Sequence, residues 1–276
     1  MKIEQFSTGL RLGEDGIYFS PGSRAVSYSE TGHADCYQVE DSSFWFRHRN
    51  RCIASVVANH HYSGLMLDLG GGNGYVSQGL AADGNEVLLL EPGQLGARNA
   101  RLHRGLSHVA CATVEEAGFL PGSFGAIGMF DVIEHVEADR QFLESITPLL
   151  ASGGKLYLTV PCHQWLWSGA DERAGHYRRH DLTSLQKLLA GLFSVDYISY
   201  FFRPLVVPQY LLRALPHRLG LSPGGGVLSA KAEHGSGHGP TARLMSKLLD
   251  GEARAIAAGQ SLRYGASAIV AASRID

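Results

Sequence analysis

The stretch Leu65-Met66-Leu67-Asp68-Leu69-Gly70-Gly71-Gly72-Asn73-Gly74 constrains the fold of this chain more than any other. An apolar strand reaches an acid, enters a glycine-rich turn and leaves through a helix from Tyr75 to Ala82. Glycines at 70, 72 and 74 let the backbone turn tightly and approach a ligand, because they carry no Cβ. Amides at the start of the following helix can hold a polar or anionic ligand group. A second apolar run, Glu86 to Leu90, ends at Glu91. An acid at the tip of a second strand can accept hydrogen bonds from both hydroxyls of a ribose. These features together describe a nucleoside-binding α/β domain.

The spacing within the turn selects the nucleoside. A dinucleotide fingerprint requires G-x-G-x-x-G, and its last position is Tyr75 counted from Gly70 and Ser77 counted from Gly72. Both fail, which argues against a nicotinamide-dependent oxidoreductase. The pattern is instead Asp68-x-Gly70-x-Gly72-x-Gly74. An acid beside the turn repels a pyrophosphate but suits a ligand carrying an ammonium and a sulfonium. The pattern resembles motif I of the class I S-adenosylmethionine-dependent methyltransferases, and Glu91 matches the acid that ends their second strand. The resemblance implies an α/β, Rossmann-like doubly wound sheet of about seven strands, mostly parallel with the last strand antiparallel. It implies S-adenosyl-L-methionine as cofactor and S-adenosyl-L-homocysteine as product.

The chain has 276 residues, enough for one large domain with a small appendage. Its net charge of −2 provides no broad basic field, so nucleic acid is not an expected partner. Four scattered cysteines (36, 52, 111 and 162) form no C-x-x-C and suit reduced, mostly buried thiols in a cytoplasmic protein. No apolar stretch within residues 1–16 reads as a signal peptide, and no run approaches a spanning helix.

Residues 1–40 are polar and turn-rich and read as an N-terminal extension. From 41 to 202 helices alternate with strands, which implies a mostly parallel sheet covered on both faces, with its ligand site at the carboxyl ends of the strands. Asp41-Ser42-Ser43 caps a helix from Phe44 to Asn59, and strands follow near 107–112, 126–130, 155–160 and 195–200. The region 203–260 breaks this rhythm and reads as a helical lid or insertion. It contains a Gly-, Ser- and His-rich loop at 222–240 and an amphipathic helix at 241–258. Residues 261–276 supply the final strand of the core.

Further motifs carry the same resemblance. Phe130-Asp131-Val132-Ile133-Glu134-His135 is similar to the family's fourth-strand motif, D-V-L-E-H. The resemblance places Pro92, Phe130 and Asp131 against the cofactor with Asp68, Gly70, Gly72, Gly74 and Glu91. Many members hold the adenine amino group with an aspartate after the third strand; Thr113 stands there instead, followed by Val114. Ser43 to Asn50 resembles an F-W-F-x-x-R helix of a bacterial branch. That implies Arg49, or Arg47, on the cofactor carboxylate, with Trp45 beside it.

The loop after the fifth strand, His163 to His180, leaves the sheet at its carboxyl end and is the most chemically loaded segment. His163, His176, His135 or Asp171 could take a proton from an acceptor hydroxyl. Trp165, Trp167 and Tyr177 could wall the pocket, and Arg178 and Arg179 could hold an anionic group or close the loop by ion pairing. H-E-x-x-H does not occur, and no metal is expected.

The function expected is in-line methyl transfer to a small-molecule or lipid- or glycan-linked acceptor, oxygen favoured. A catalytically inactive cofactor-binding protein is the alternative reading. Apolar residues among Arg203, Arg213, His217 and Arg218 suggest a weak peripheral membrane contact, a lid or a homodimer contact.

Overall fold

Short apolar runs bounded by glycine, proline and acids become the strands of one sheet. The computed structural model describes residues 2–21, 36–221 and 240–276; the loop expected at 222–240 falls largely outside them. The strands are β1 (Arg11–Leu12), β2 (Tyr18–Phe19), β3 (Met66–Leu69), β4 (Val87–Leu90), β5 (Val109–Cys111), β6 (Phe124–Phe130), β7 (Leu150–Pro161), β8 (Phe193–Phe201) and β9 (Ser267–Arg274). Their order is β1-β2-β5-β4-β3-β6-β7-β9-β8. From β2 to β7 every neighbouring pair is parallel, while β9 runs antiparallel to both β7 and β8. The chain steps outward from β3 to β4 and β5 on one side, then returns to β6 and β7 on the other. The crevice between the carboxyl ends of β3 and β6 is therefore the switch point where such sheets bind ligands.

The expected seven strands are present, with the last antiparallel, and two more lie at the β5 edge. These are β1 and β2, from the stretch read as an extension; β2 pairs parallel with β5, and Ile3, Leu10 and Ile17 are fully buried. Two-residue strands are too short to show a period in sequence, so their pairing is a tertiary event.

Alternate strand residues point to opposite faces. On one face Leu67, Leu88, Ile127 and Leu156 pack with helices α3 (Asp139–Ile146) and α5 (Leu182–Leu189). On the other, Met66, Val87, Ala126 and Tyr157 pack with α1 (Phe44–Asn59), α2 (Tyr75–Ala82) and α6 (Pro240–Ala257). A short helix α4 (Gly169–Ala174) lies in the loop after β7. Ser43 caps α1 by accepting the Trp45 N–H, as the sequence predicts.

Helix α6 is a covering layer of the sheet. Its Leu249, Ala253 and Ile256 are buried beside Ile53 and Val56 of α1, each worth about 1.5–3 kcal/mol for the larger side chains. Of the apolar face expected on this helix, Leu248 is exposed, and the Leu244 side chain lies outside the described residues. Fully buried Glu252 fastens α6 to the chain leaving β8. It accepts the N–H groups of Phe202 and Arg203 at 2.5 and 2.9 Å, and His48 Nε2 lies 2.7 Å away. All four cysteines are free thiols, and three are buried. Among the described residues no helix is long and apolar enough to cross a membrane.

Candidate active site

The turn after β3 is built on left-handed backbone. Gly70 has φ +72°, and a Cβ there would lie 2.9 Å from Val132 Cγ2; Gly74, at φ +83°, starts α2. The adjoining Asp68 is buried, with Ser77 Oγ donating to it at 2.5 Å. Burial pushes its carboxyl up to about 6, against the opposing pull of the Ser77 hydrogen bond and the Arg49 charge. Glu91, at the end of β4, accepts the N–H of Gly72 at 2.9 Å and of Gly93 at 2.7 Å. These two bonds, one to each carboxylate oxygen, fix Glu91 to the turn.

A strap missed in the sequence holds this turn from outside. Asn73 donates to Glu40 at 3.1 Å and accepts from Asn99 at 2.9 Å. Arg104 pairs with Glu40 at 2.9 Å and Asp41 at 2.6 Å, and lies over the rings of Tyr37 and Tyr75. Asp41 was legible only as a helix-cap residue and Glu40 only as the end of the extension; their partner lies some sixty positions away. Thr113 has a local job: its hydroxyl and Glu116 form a reciprocal cap on the turn Val114–Ala117, with Val114 packed against the core. Pro92 sits beside β5, its carbonyl 3.6 Å from Cys111 Sγ.

The end of β6 carries the second group. Asp131 takes the left-handed conformation, φ +59°, and its carboxylate accepts from Thr159 Oγ1 at 3.1 Å. Arg49 Nε lies 2.7 Å from Asp131 Oδ2, and its Nη2 donates to the Phe130 carbonyl at 2.6 Å. The guanidinium expected on a cofactor carboxylate thus grips the end of β6, 5.5 Å above the Trp45 ring. Arg47 is exposed on α1.

The loop after β7 is organised by buried Asp171. The carboxylate closes the cap of α4 by accepting the Ser168 N–H at 2.9 Å. It also accepts two bonds from Arg179, at 2.7 and 3.0 Å, and lies 3.0 Å from His176 Nδ1. Burial alone would raise this carboxyl, but the His176 and Arg179 contacts outweigh it and hold it well below the usual range. The His176 ring meets His135 edge to face at 4.7 Å. Burial, then the neighbouring His176, lowers His135 to about 4, so its imidazole is neutral at pH 7.

Glu134, one residue earlier, was quoted in the motif but not singled out as a site residue. It is fully buried, and neither carboxylate oxygen has a hydrogen-bond partner of good geometry. Burial first, and Asp131 next, raise its carboxyl well above the ordinary value.

The remaining predicted residues divide. Arg178 pairs with Asp139 at 2.5 Å and donates to the carbonyls of Val136 and Glu137, and Arg179 is taken by Asp171; both arginines hold the loop closed. His163, at φ +65°, stacks on Trp165 and Tyr200 at 5.3 and 4.9 Å, on the β8 side of the loop. Trp165 is partly exposed and packs on Tyr210, while Arg218 donates to its carbonyl. Trp167 is half-buried and Tyr177 exposed. The structure therefore brings His135, His176 and Asp171 together and sends His163 elsewhere.

The glycine turn after β3 and the acid at the end of β4 thus meet at the switch point of the sheet. Residues 39–192 match the family described as a methyltransferase domain, and the chain belongs to that family. It is 30% identical over 176 residues to the mitochondrial ubiquinone biosynthesis O-methyltransferase of Schizosaccharomyces pombe, covering 58% of this chain and 64% of that one. It is 32% identical over 100 residues to the ubiquinone biosynthesis O-methyltransferase of Xanthomonas euvesicatoria, covering 34% and 42%. The chain thus spans less than two thirds of the length of these relatives. Among solved structures it is similar to phosphoethanolamine N-methyltransferase 2 of Haemonchus contortus in complex with S-adenosyl-L-methionine. There the TM-score is 0.57 at 17% identity, over 94% of this chain and 62% of that one, a likeness of fold.

Proposed function

We propose that this chain transfers the methyl group of S-adenosylmethionine to an oxygen of a small-molecule acceptor. The observation that carries the reading is the Asp171–His176–His135 cluster, which joins the loop after β7 to the turn after β6, beyond the carboxyl ends of the two strands. A sulfonium methyl is already activated, so the protein has to align the acceptor with the S–CH₃ bond and exclude water. The acceptor hydroxyl must lose a proton as the O–CH₃ bond forms and the S–CH₃ bond breaks. An imidazole oriented by a carboxylate, as His176 is by Asp171, is suited to receiving that proton. In this reading Glu91 accepts from the ribose, Gly70 to Gly74 lie against the amino-acid portion, and Asp68 supplies negative charge beside the sulfonium and ammonium. Thr113 and Val114 border the adenine. The O-methyltransferase names of the relatives favour oxygen.

One observation favours a lipid-linked acceptor within that class. Beside Trp165, the segment Val206–Arg218 exposes Val207, Leu211 and Leu212, the last at 76%, next to Arg213 and Arg218. Such a surface is suited to an apolar acceptor tail or a bilayer edge.

The test supplies methyl-labelled S-adenosylmethionine and an extract of the source cells to the purified protein, with Gly72→Arg as control. Label in an organic-soluble product supports a lipid-linked acceptor, and label in an aqueous product supports a soluble one. Cofactor binding without any labelled product would overturn the enzymatic reading in favour of a binding protein. His176→Ala is expected to lower turnover while leaving cofactor affinity unchanged; equal loss of both would give His176 a purely structural role.

A further inference from the structure

We propose that Glu252 of α6 is a positioning residue for the crevice: through Phe202 and Trp45 it sets the grip of Arg49 on the end of β6. The inference rests on the reading of that crevice as the place where cofactor and acceptor meet.

The contacts run without a gap from α6 to the strand end. Glu252 accepts the N–H groups of Phe202 and Arg203, and His48 Nε2 of α1 lies 2.7 Å from the same carboxylate. Phe202 takes the left-handed backbone conformation, φ +61°. A bulky residue holds that conformation only where its surroundings over-determine it. Here the two amide bonds to Glu252 fix the backbone, and the His48 ring meets the Phe202 ring edge to face at 5.0 Å. So held, Phe202 stacks on Trp45, with ring centres 5.2 Å apart and planes 8° from parallel. The Arg49 guanidinium lies 5.5 Å from the centre of the Trp45 ring. From there it reaches Asp131 Oδ2 at 2.7 Å and the Phe130 carbonyl at 2.6 Å. Asp131, at φ +59°, and Phe202 thus mark the two ends of this run with the same strained backbone.

The far end bears on the cofactor side. Asp131 leads into Val132, whose Cγ2 sits so near the glycine turn that a Cβ on Gly70 would lie 2.9 Å from it. The Arg49 charge also favours the ionised form of Asp68. A shift of Arg49 therefore changes both the wall of the turn and the charge beside it. Fastening α6 does not by itself require an acid at 252. Leu249, Ala253 and Ile256 already bury the helix in the core, and a buried charge is costly unless it is paired and hydrogen-bonded. Burial raises the Glu252 carboxyl, but His48 and the two amides outweigh it and hold the group below its ordinary value. Hydrogen bonds are directional where apolar packing is not, so this carboxylate fixes α1 and the chain leaving β8 in one register.

The test measures S-adenosylmethionine affinity by calorimetry on the full-length protein, at a temperature where circular dichroism shows each variant folded. Glu252→Gln keeps the shape of the side chain but turns one acceptor oxygen into a donor. It should weaken the cofactor about tenfold, the size of effect that substitutions along a packed network have on a remote site. In an Arg49→Lys background the same change should add less than about twofold, because the grip it acts through is already lost. Leu249→Ala should lower the melting temperature and leave affinity unchanged. Unchanged affinity in Glu252→Gln, the full loss repeated in the Arg49→Lys background, or an equal loss in Leu249→Ala overturns the proposal and leaves Glu252 a structural tie. Trp45→Leu covers the case in which Glu252→Gln does not fold. It removes the ring that links Phe202 to Arg49, so the same loss is expected, and full affinity overturns the coupling.

A second readout needs no cofactor. The chain has three tryptophans, so Trp165→Phe with Trp167→Phe leaves Trp45 as the sole indole. Adding Glu252→Gln to that protein should shift the emission to longer wavelength as Trp45 leaves its stack, and an unmoved spectrum overturns the coupling. If the unaltered protein binds no S-adenosylmethionine, the proposed activity falls, and the emission shift alone decides the coupling.

Discussion

The two halves of the crevice are assembled differently. On the cofactor side, Asp68, Ser77, Gly70 and Gly74 lie within ten residues of one another, and Glu91 reaches the same turn from the next strand. Their polar groups are satisfied over short sequence distances. On the side proposed for the acceptor, Asp139, Glu134, His135, Asp171, His176 and Arg179 come from elements on either side of β7 and depend on one another's charges. One half is a local motif. The other is a network that exists only in the folded chain, and it leaves a buried carboxyl without a good partner.

That contrast predicts where substitutions do the most harm. Arg179→Ala leaves Asp171 buried with its main cation removed, and should cost about 3–5 kcal/mol, read as a fall in melting temperature. A loss under 1 kcal/mol, as expected of an exposed pair, would erase the distinction between the halves. Gly72→Arg, at φ +55°, should leave the fold in place and weaken S-adenosylmethionine at least about 100-fold, or about 2.7 kcal/mol. Full binding by this variant in calorimetry would remove the glycine turn from the cofactor site.

The pH response provides a smaller and sharper test. The Asp68 carboxyl is raised to about 6, so its share of folding stability is fully present below its ordinary value and is lost as pH rises through about 6. Cofactor binding should move in the opposite direction, because a cation favours the anion that forms above that pH. Affinity should fall by up to about tenfold per pH unit below 6, and Asp68→Asn should flatten the profile. An unchanged slope in the variant would assign the effect to another group. The mildest effect is expected at Ser43→Ala, where loss of the α1 cap costs about 1 kcal/mol in denaturant unfolding with cofactor affinity preserved.

Much of the fold was legible because its signals are local. Strand–acid–glycine–helix and the Ser43 cap each sit within a few residues. The two-residue strands β1 and β2 were not legible: β1 pairs with β2, and β2 joins the sheet through β5, some ninety positions away. Arg49 shows the same limit at the site: its residue type invited pairing with a cofactor carboxylate, and its nearest acid proved to be Asp131. Arg178 and Arg179 were read as holding an anionic group or closing the loop by ion pairing; the pairs they make are with Asp139 and Asp171.

The sequence by itself determined the class of sheet, the glycine turn and the acids at the ends of β3 and β4, because backbone conformation and strand period are properties of neighbouring residues. Only the tertiary structure decided which histidines meet, which arginines are already paired and which carboxyl is left buried. Those outcomes depend on distances between segments that meet only when β6 and β7 lie side by side, and on burial, which changes the strength of every charge in the crevice.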